Sequence, residues 1–141
     1  MNAFLSGQDV MLVMPTGGGK SLTYQLPAVV TPKGFTLVVS PLVSLVEDQV
    51  MALQNLSGVQ VAALNASTPR DTTNAVHKQM TSQDCNLDLI YVTPEKLAKS
   101  KMFMNKLQKA YEIGTFTRIA IGKVFPQYVS SSFQLRSFLQ W

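Results

Sequence analysis

Charge is scarce in this chain. Only 14% of the 141 residues are charged against 46% hydrophobic, which excludes a solvent-filled disordered tail and predicts one domain with a packed core. Cysteine is scarcer still: Cys85 stands alone, so no internal disulfide forms and a reducing compartment is expected. No long apolar run is present. The run Val10–Met14 is too short for a membrane span or a signal-peptide core, and no basic stretch precedes it. Without secretion, the glycosylation-like triplets at Asn55 and Asn65 are chance matches. No internal repeat occurs. The net charge of +4 tolerates a polyanion without requiring one.

What the chain does have is a succession of short apolar runs alternating with helical patterns. The runs are Val10–Met14, Phe35–Ser40, Val59–Leu64, Leu87–Thr93 and Thr117–Ile121. They are rich in Val, Ile and Leu without strict alternation, as in strands covered on both faces. Leu42, Leu45, Val46, Gln49, Val50 and Leu53 form a helical stripe. A further helix is predicted from Pro69, capped by Ser67 or Thr68, and another from Pro94, capped by Thr93. Phe103, Leu107, Ala110 and Tyr111 stripe a last helix that Gly114 is placed to stop. Repeated strand–helix–strand units predict an α/β fold: a parallel sheet of about five strands with right-handed crossovers. Residues 122–141 break the pattern and read as a separate tail.

The stretch Thr16-Gly17-Gly18-Gly19-Lys20-Ser21 follows the first apolar run and opens a helix. Three glycines let the backbone curl so that its N–H groups converge on phosphate oxygens, and the helix N-terminus adds partial positive charge. Lys20 is suited to the β- and γ-phosphates and the Ser21 hydroxyl to a magnesium ion, so ATP and Mg2+ are the expected ligands. Met14 occupies the first glycine position of the usual pattern, which is tolerable if φ there is negative. Leu22 and Leu26 are expected to anchor this helix to the sheet, and Pro27 to kink or end it.

Other strands end in a related way, at Ser40-Pro41, Asn65-Ala66-Ser67 and Thr93-Pro94-Glu95. Each sets a small polar residue before a helix, along the sheet edge where open α/β folds bind ligands. One such end suits a nucleotide; several in a row suit successive phosphates of a nucleic acid. Ordinary helix capping explains any one of them alone. Lys96, Lys99, Lys101, Lys106 and Lys109 add charge that attracts a phosphate backbone or simply solvates a helix face. His77 carries no assigned role.

The stretch MPTGGGKSLTYQLPA resembles the first motif of the RecQ family of DNA helicases, including the non-glycine at its start. LVVSPLVSLVEDQV (37–50) resembles that family's motif Ia and LIYVTPEKLAKS (89–100) its motif Ib, while 99–112 and 116–121 are similar to its short vertebrate members. The resemblance covers residues from about 5 to 121. It implies an incomplete RecA-like first lobe of an ATP-driven 3′-to-5′ DNA-unwinding motor, resident in the nucleus. On that resemblance Thr16, Gly17, Gly18, Gly19, Lys20 and Ser21 bind ATP, and Ser40, Pro41, Ser44, Gln49, Thr93 and Pro94 lie at or near the DNA path.

The departures are as informative. The family carries an Asp-Glu-x-His box after the strand that here reads TRIAI, and this chain reads Ile121-Gly122-Lys123-Val124 instead. None of its eight acidic residues follows Glu112. The family's aromatic-rich loop, motif III strand and second motor lobe have no counterpart in the sequence, and its adenine-recognising glutamine segment would precede Met1. Glu95 is the one candidate replacement base, though a first-turn helix acid is its plainer reading. ATP hydrolysis and unwinding are therefore expected to be weak or absent. The competing expectations are a non-catalytic nucleotide- or DNA-binding remnant that competes with the full helicase, and a small-molecule kinase. The kinase ranks last: Arg70, Arg118 and Arg136 are the only arginines, and no lid-like insertion exists.

Overall fold

In the computed structural model the described residues are 20–30, 33–40 and 43–121, with only the backbone described for 20–23. They form α1 (Lys20–Val30), β1 (Phe35–Val39), α2 (Val43–Gln54), β2 (Val61–Leu64), α3 (Arg70–Met80), β3 (Leu89–Val92), α4 (Pro94–Lys99), α5 (Lys101–Ile113) and β4 (Phe116–Ile121). The four strands of the described residues pair in parallel in the order β2-β3-β1-β4. This is an incomplete RecA-like α/β lobe. The expected strand Val10–Met14 and the tail 122–141, with its apolar Val129, Phe133, Leu135 and Leu139, lie outside the described residues.

Both faces of the sheet are covered, which is why its strands read as apolar runs. Phe35, Leu37 and Val39 of β1 and Ile90 and Val92 of β3 point to one face, where Val76 and Met80 of α3 and Phe103, Leu107 and Ala110 of α5 close a core. Val38, Leu89 and Tyr91 point to the other, against Ala28 of α1 and Val46 and Leu53 of α2. Thr115 ties the first layer together: its buried hydroxyl, 2.6 Å from the Met80 carbonyl oxygen and 3.2 Å from that of Ala110, serves the C-terminal turns of α3 and α5. Phe35 and Phe116 stack with centroids 5.4 Å apart where β1 meets β4. Gly34 stands beside them with φ +97, and a Cβ there would sit 2.5 Å from Thr117 Cγ2 and 2.7 Å from the Thr115 carbonyl oxygen. Only glycine fits that approach.

Several local expectations hold. Thr93 caps α4, its hydroxyl accepting from Lys96 N–H at 3.4 Å, and Gly114 ends α5 in the left-handed region with φ 88. Ser100, which the helical stripe did not reveal, separates α4 from α5 by capping the latter through the Phe103 N–H at 3.2 Å.

Other details differ. Pro27 does not end α1, which continues to Val30, because the buried Pro27 and Ala28 hold that segment against the sheet. Leu26 is 40% exposed, since Tyr24 and Ala28, four residues apart, take the sheet-facing side instead. Leu45 and Tyr111 are also exposed, at the rims of their stripes. Neither Ser67 nor Thr68 caps α3: Pro69 holds the cap position without a side-chain bond. The Thr68 hydroxyl instead accepts from the Asn65 N–H at 2.9 Å, and the Asn65 carboxamide oxygen accepts from the Ser67 N–H and hydroxyl at 2.9 and 2.7 Å, closing a tight polar turn.

Candidate functional site

Parallel pairing aligns the strand ends. Leu64 of β2, Val92 of β3, Val39 of β1 and Ile121 of β4 occupy one row across the sheet. The next residue of each strand therefore falls on the carboxyl edge: Asn65, Thr93 and Ser40 follow one another across β2, β3 and β1. With strands about 4.8 Å apart, the three polar ends form a ledge about 10 Å long. Ser40 is half-buried and its N–H donates to the Val92 carbonyl at 3.1 Å, locking the two ends together. Thr93 is 8% exposed, held down by its cap and by the buried Pro94 that opens α4.

The direction of α1 brings its Lys20 end to the same edge. α1 is followed within five residues by β1, so its Val30 end lies near the amino ends of the strands and it runs antiparallel to them. Its 11 residues span about 16 Å, the length of β1, so the Lys20 end reaches the carboxyl edge. Thr16, Gly17, Gly18 and Gly19 are outside the described residues. For a magnesium-bound triphosphate, the described chemistry fits a helix N-terminus that meets anionic phosphate at its first turn. Among the described residues no cluster of His, Cys, Asp or Glu is assembled to hold a metal by itself.

The remaining predicted residues divide. Ser44 is exposed in the first turn of α2; Pro41 is outside the described residues. Gln49 is half-buried, its Oε1 accepting from the Tyr24 hydroxyl at 2.9 Å. Lys99, Lys101 and Lys109 are exposed, whereas Lys96 and Lys106 are half-buried near His77. His77 itself is 5% exposed and packs on the Phe103 ring with centroids 5.9 Å apart, a core histidine rather than a surface one. Burial, then Lys106 and Lys96, hold its imidazole below the ordinary value of 6.5. Glu95 is exposed in the first turn of α4.

A polar cavity of about 470 Å³ lies at the other end of the sheet, lined by Gly34, Gly58, Gln60, Cys85 and Asp88 among others. It includes none of the predicted site residues. Burial pushes the Cys85 thiol up, so it is a poor nucleophile. The aligned strand ends, not this cavity, are the candidate site, because they gather phosphate-suited groups on an edge that a helix N-terminus also reaches.

Residues 1–117 match the family model of the DEAD/DEAH box helicases. The chain belongs to the RecQ-type DEAD/DEAH box helicases. It is 54% identical over 124 residues to ATP-dependent DNA helicase Q1 of Rattus norvegicus, covering 88% of this chain and 20% of that protein. The likeness to the Q1 helicase of Pongo abelii is 55%, over 88% of this chain and 19% of the relative. With ATP-dependent DNA helicase Q-like 2 of Arabidopsis thaliana it is 46% over 121 residues, 86% of this chain and 17% of the relative. The chain thus spans about a fifth of the length of these curated relatives and corresponds to an N-terminal fragment of the RecQ motor lobe. No helix of the described residues is long and apolar enough to cross a membrane.

Proposed function

We propose that this chain is the nucleotide- and DNA-gripping part of a RecQ-type first motor lobe and that it turns ATP over slowly or not at all. ATP with Mg2+ sits on Thr16–Ser21; Ser40, Pro41, Ser44, Gln49, Thr93 and Pro94 lie along the DNA, single-stranded or at a duplex junction. The observation that carries the reading is the aligned row Leu64, Val92, Val39 and Ile121, which sets Ser40 and Thr93 side by side on the edge that the Lys20 end of α1 reaches. Preorganised amides and hydroxyls there meet phosphate with little reorganisation.

Weak turnover follows from chemistry. Phosphoryl transfer needs a held metal, charge stabilisation and an oriented water. After β4 the chain reads Gly122-Lys123-Val124, placing a cation where the family has its acidic box. Residues 122–141 are read as a divergent tail left by an alternative exon or a shifted frame, and an unspliced, continuous reading frame across Ile121 would refute that origin. Nuclear residence goes with the family reading.

The deciding measurement is ATP turnover by the purified chain with and without single-stranded DNA, beside separate titrations of a labelled oligonucleotide and a non-hydrolysable ATP analogue. Binding of both without turnover is the expected result. Clear turnover abolished by Lys20→Ala would refute the incompetent-motor reading. A role as competitor of the full helicase is favoured by the same missing acid. It predicts that the chain lowers the full enzyme's unwinding in proportion to its DNA occupancy.

A further inference from the structure

Four side chains on the α1–α2 face of the sheet, Tyr24, Gln25, Gln49 and Tyr91, carry polar groups into or beside its apolar core. Tyr24 and Gln25 are neighbours on α1, one turn past Lys20. The Tyr24 hydroxyl donates to Gln49 Oε1 of α2 at 2.9 Å. Gln25 Nε2 donates to the Tyr91 hydroxyl of β3 at 3.1 Å. The partners stand 25 and 66 positions apart in sequence, so both bonds are tertiary ties rather than local turns. Tyr91 is 1% exposed, and burial raises its phenol above the ordinary range while the adjacent Tyr24 phenol adds to that through charge and hydrogen bonding. The two bonds leave from adjacent residues on one turn of α1, so the four groups form a pair of polar ties crossing an otherwise apolar layer of Ala28, Val38, Val46 and Leu89.

The ends of those ties are informative. One arm starts from the helix that continues the phosphate loop and finishes on α2, where Gln49 and Ser44 share a helix. The other finishes on β3 two residues before Thr93. Both proposed DNA-facing segments are thus fastened to the same turn of the nucleotide helix. Tyrosine is well matched to such a link, because its ring is rigid and passes a rotation of α1 to the hydroxyl, where a flexible stem would absorb it. Hydrogen bonds set into an apolar layer have few alternative arrangements, because an unpaired member is costly there.

We infer that Tyr24 and Tyr91 are positioning residues that link nucleotide occupancy of the loop to the set of the DNA-facing strand end and helix, making the two ligands report on each other. The inference rests on the proposed function, since it presupposes that both ligands bind. It needs no hydrolysis.

The test uses the full chain and its Tyr24→Phe and Tyr91→Phe variants, each losing one hydroxyl and little volume. The affinity for a labelled oligothymidine is measured with and without a saturating non-hydrolysable ATP analogue and Mg2+, then the analogue's affinity with and without DNA. By linkage both routes give one coupling factor, expected at about fivefold or more in the parent chain. In either variant it falls toward one while each separate affinity stays within about twofold of the parent. Amide hydrogen exchange gives a second readout: the analogue protects α2 amides in the parent chain and not in Tyr24→Phe. Failure of the parent to bind either ligand overturns the function and this inference with it. Binding of both with a factor of one, or variants that keep the parent factor, overturns this inference alone. A variant with a broadened thermal melt is set aside in favour of the other, and Tyr24, which is half-buried, is the less sensitive site.

Discussion

The two faces of the sheet solve the same burial problem differently. Under α3 and α5 the layer is aliphatic and aromatic, and Thr115 directs its hydroxyl to backbone carbonyls within that layer. Under α1 and α2, Tyr24, Gln25, Gln49 and Tyr91 carry two polar ties through the layer. The first arrangement maximises dry contact and fixes the lobe. The second ties together the elements that end at the carboxyl edge, accepting directional bonds where apolar filling would have served stability alone. Stability and ligand response should therefore separate by face.

The largest effect should fall on the first face. Phe103 is fully buried between α3 and the sheet, so Phe103→Ala should cost about 3–5 kcal/mol in urea unfolding, enough to unfold a marginal domain. Tyr24→Phe on the second face removes one half-buried hydroxyl and should cost about 0.5–1.5 kcal/mol. Equal losses would erase the distinction. At the amino edge, Gly34→Ala forces a side chain into the left-handed region and against Thr117 and the Thr115 carbonyl oxygen. The backbone strain alone is worth about 1–3 kcal/mol, and the loss should appear in the melt with ligand-edge affinities unchanged in the folded fraction.

His77 is a weak point of the first face. Its Nε2 is buried without a hydrogen-bond partner, and Lys106 of α5 and Lys96 of α4 oppose a charge there. Its folded pKa lies below the ordinary 6.5, so the unfolded chain binds the proton more readily. The stabilising contribution is present above pH 6.5, shrinks as pH falls below that value, and is gone beneath the lowered folded value. The slope is at most about 1.4 kcal/mol per pH unit. Unfolding measured between pH 7 and 5 should show it, and His77→Phe should remove this part of the slope; an unchanged slope would reject His77 as its source.

Much of the fold was legible because the runs Phe35–Ser40 and Leu87–Thr93 are continuous and apolar, which only two-sided burial explains. Thr93 and Gly114 were legible because a cap and a left-handed stop each demand particular side chains. The misses have a shared cause. Leu26, Leu45 and Tyr111 are apolar at the rim of a stripe, and periodicity does not say which rim residue the neighbour covers. Of the two outcomes expected at Pro27, the helix does not end there, because burial of that segment outweighs one lost helical bond. His77 was missed because a mostly polar helix hides which of its residues faces Phe103. The Tyr24–Gln49 and Gln25–Tyr91 bonds were beyond reach, since nothing in either local stretch specifies a partner on another element. At the carboxyl edge the small polar residues were visible in the sequence, but the row that places Ser40 beside Thr93 needed the strand register.

The smallest effect asks the sharpest question of that edge. Thr93 caps α4 through a long bond of 3.4 Å, so Thr93→Ala should cost only about 0.5–1 kcal/mol. That loss alone does not tell a cap from a phosphate contact. Thr93→Asp does. Aspartate caps a helix at least as well as threonine, and its charge suits the helix N-terminus, so stability should hold within about 0.5 kcal/mol. The same carboxylate would face the phosphates proposed to lie there, and DNA affinity should fall severalfold, more so at low salt where the repulsion is unscreened. If Thr93 serves only the fold, DNA affinity follows stability in both variants and Thr93→Asp is silent. If the ledge of strand ends meets a phosphate chain, the two variants part: alanine weakens the fold more than the binding, aspartate the binding and not the fold.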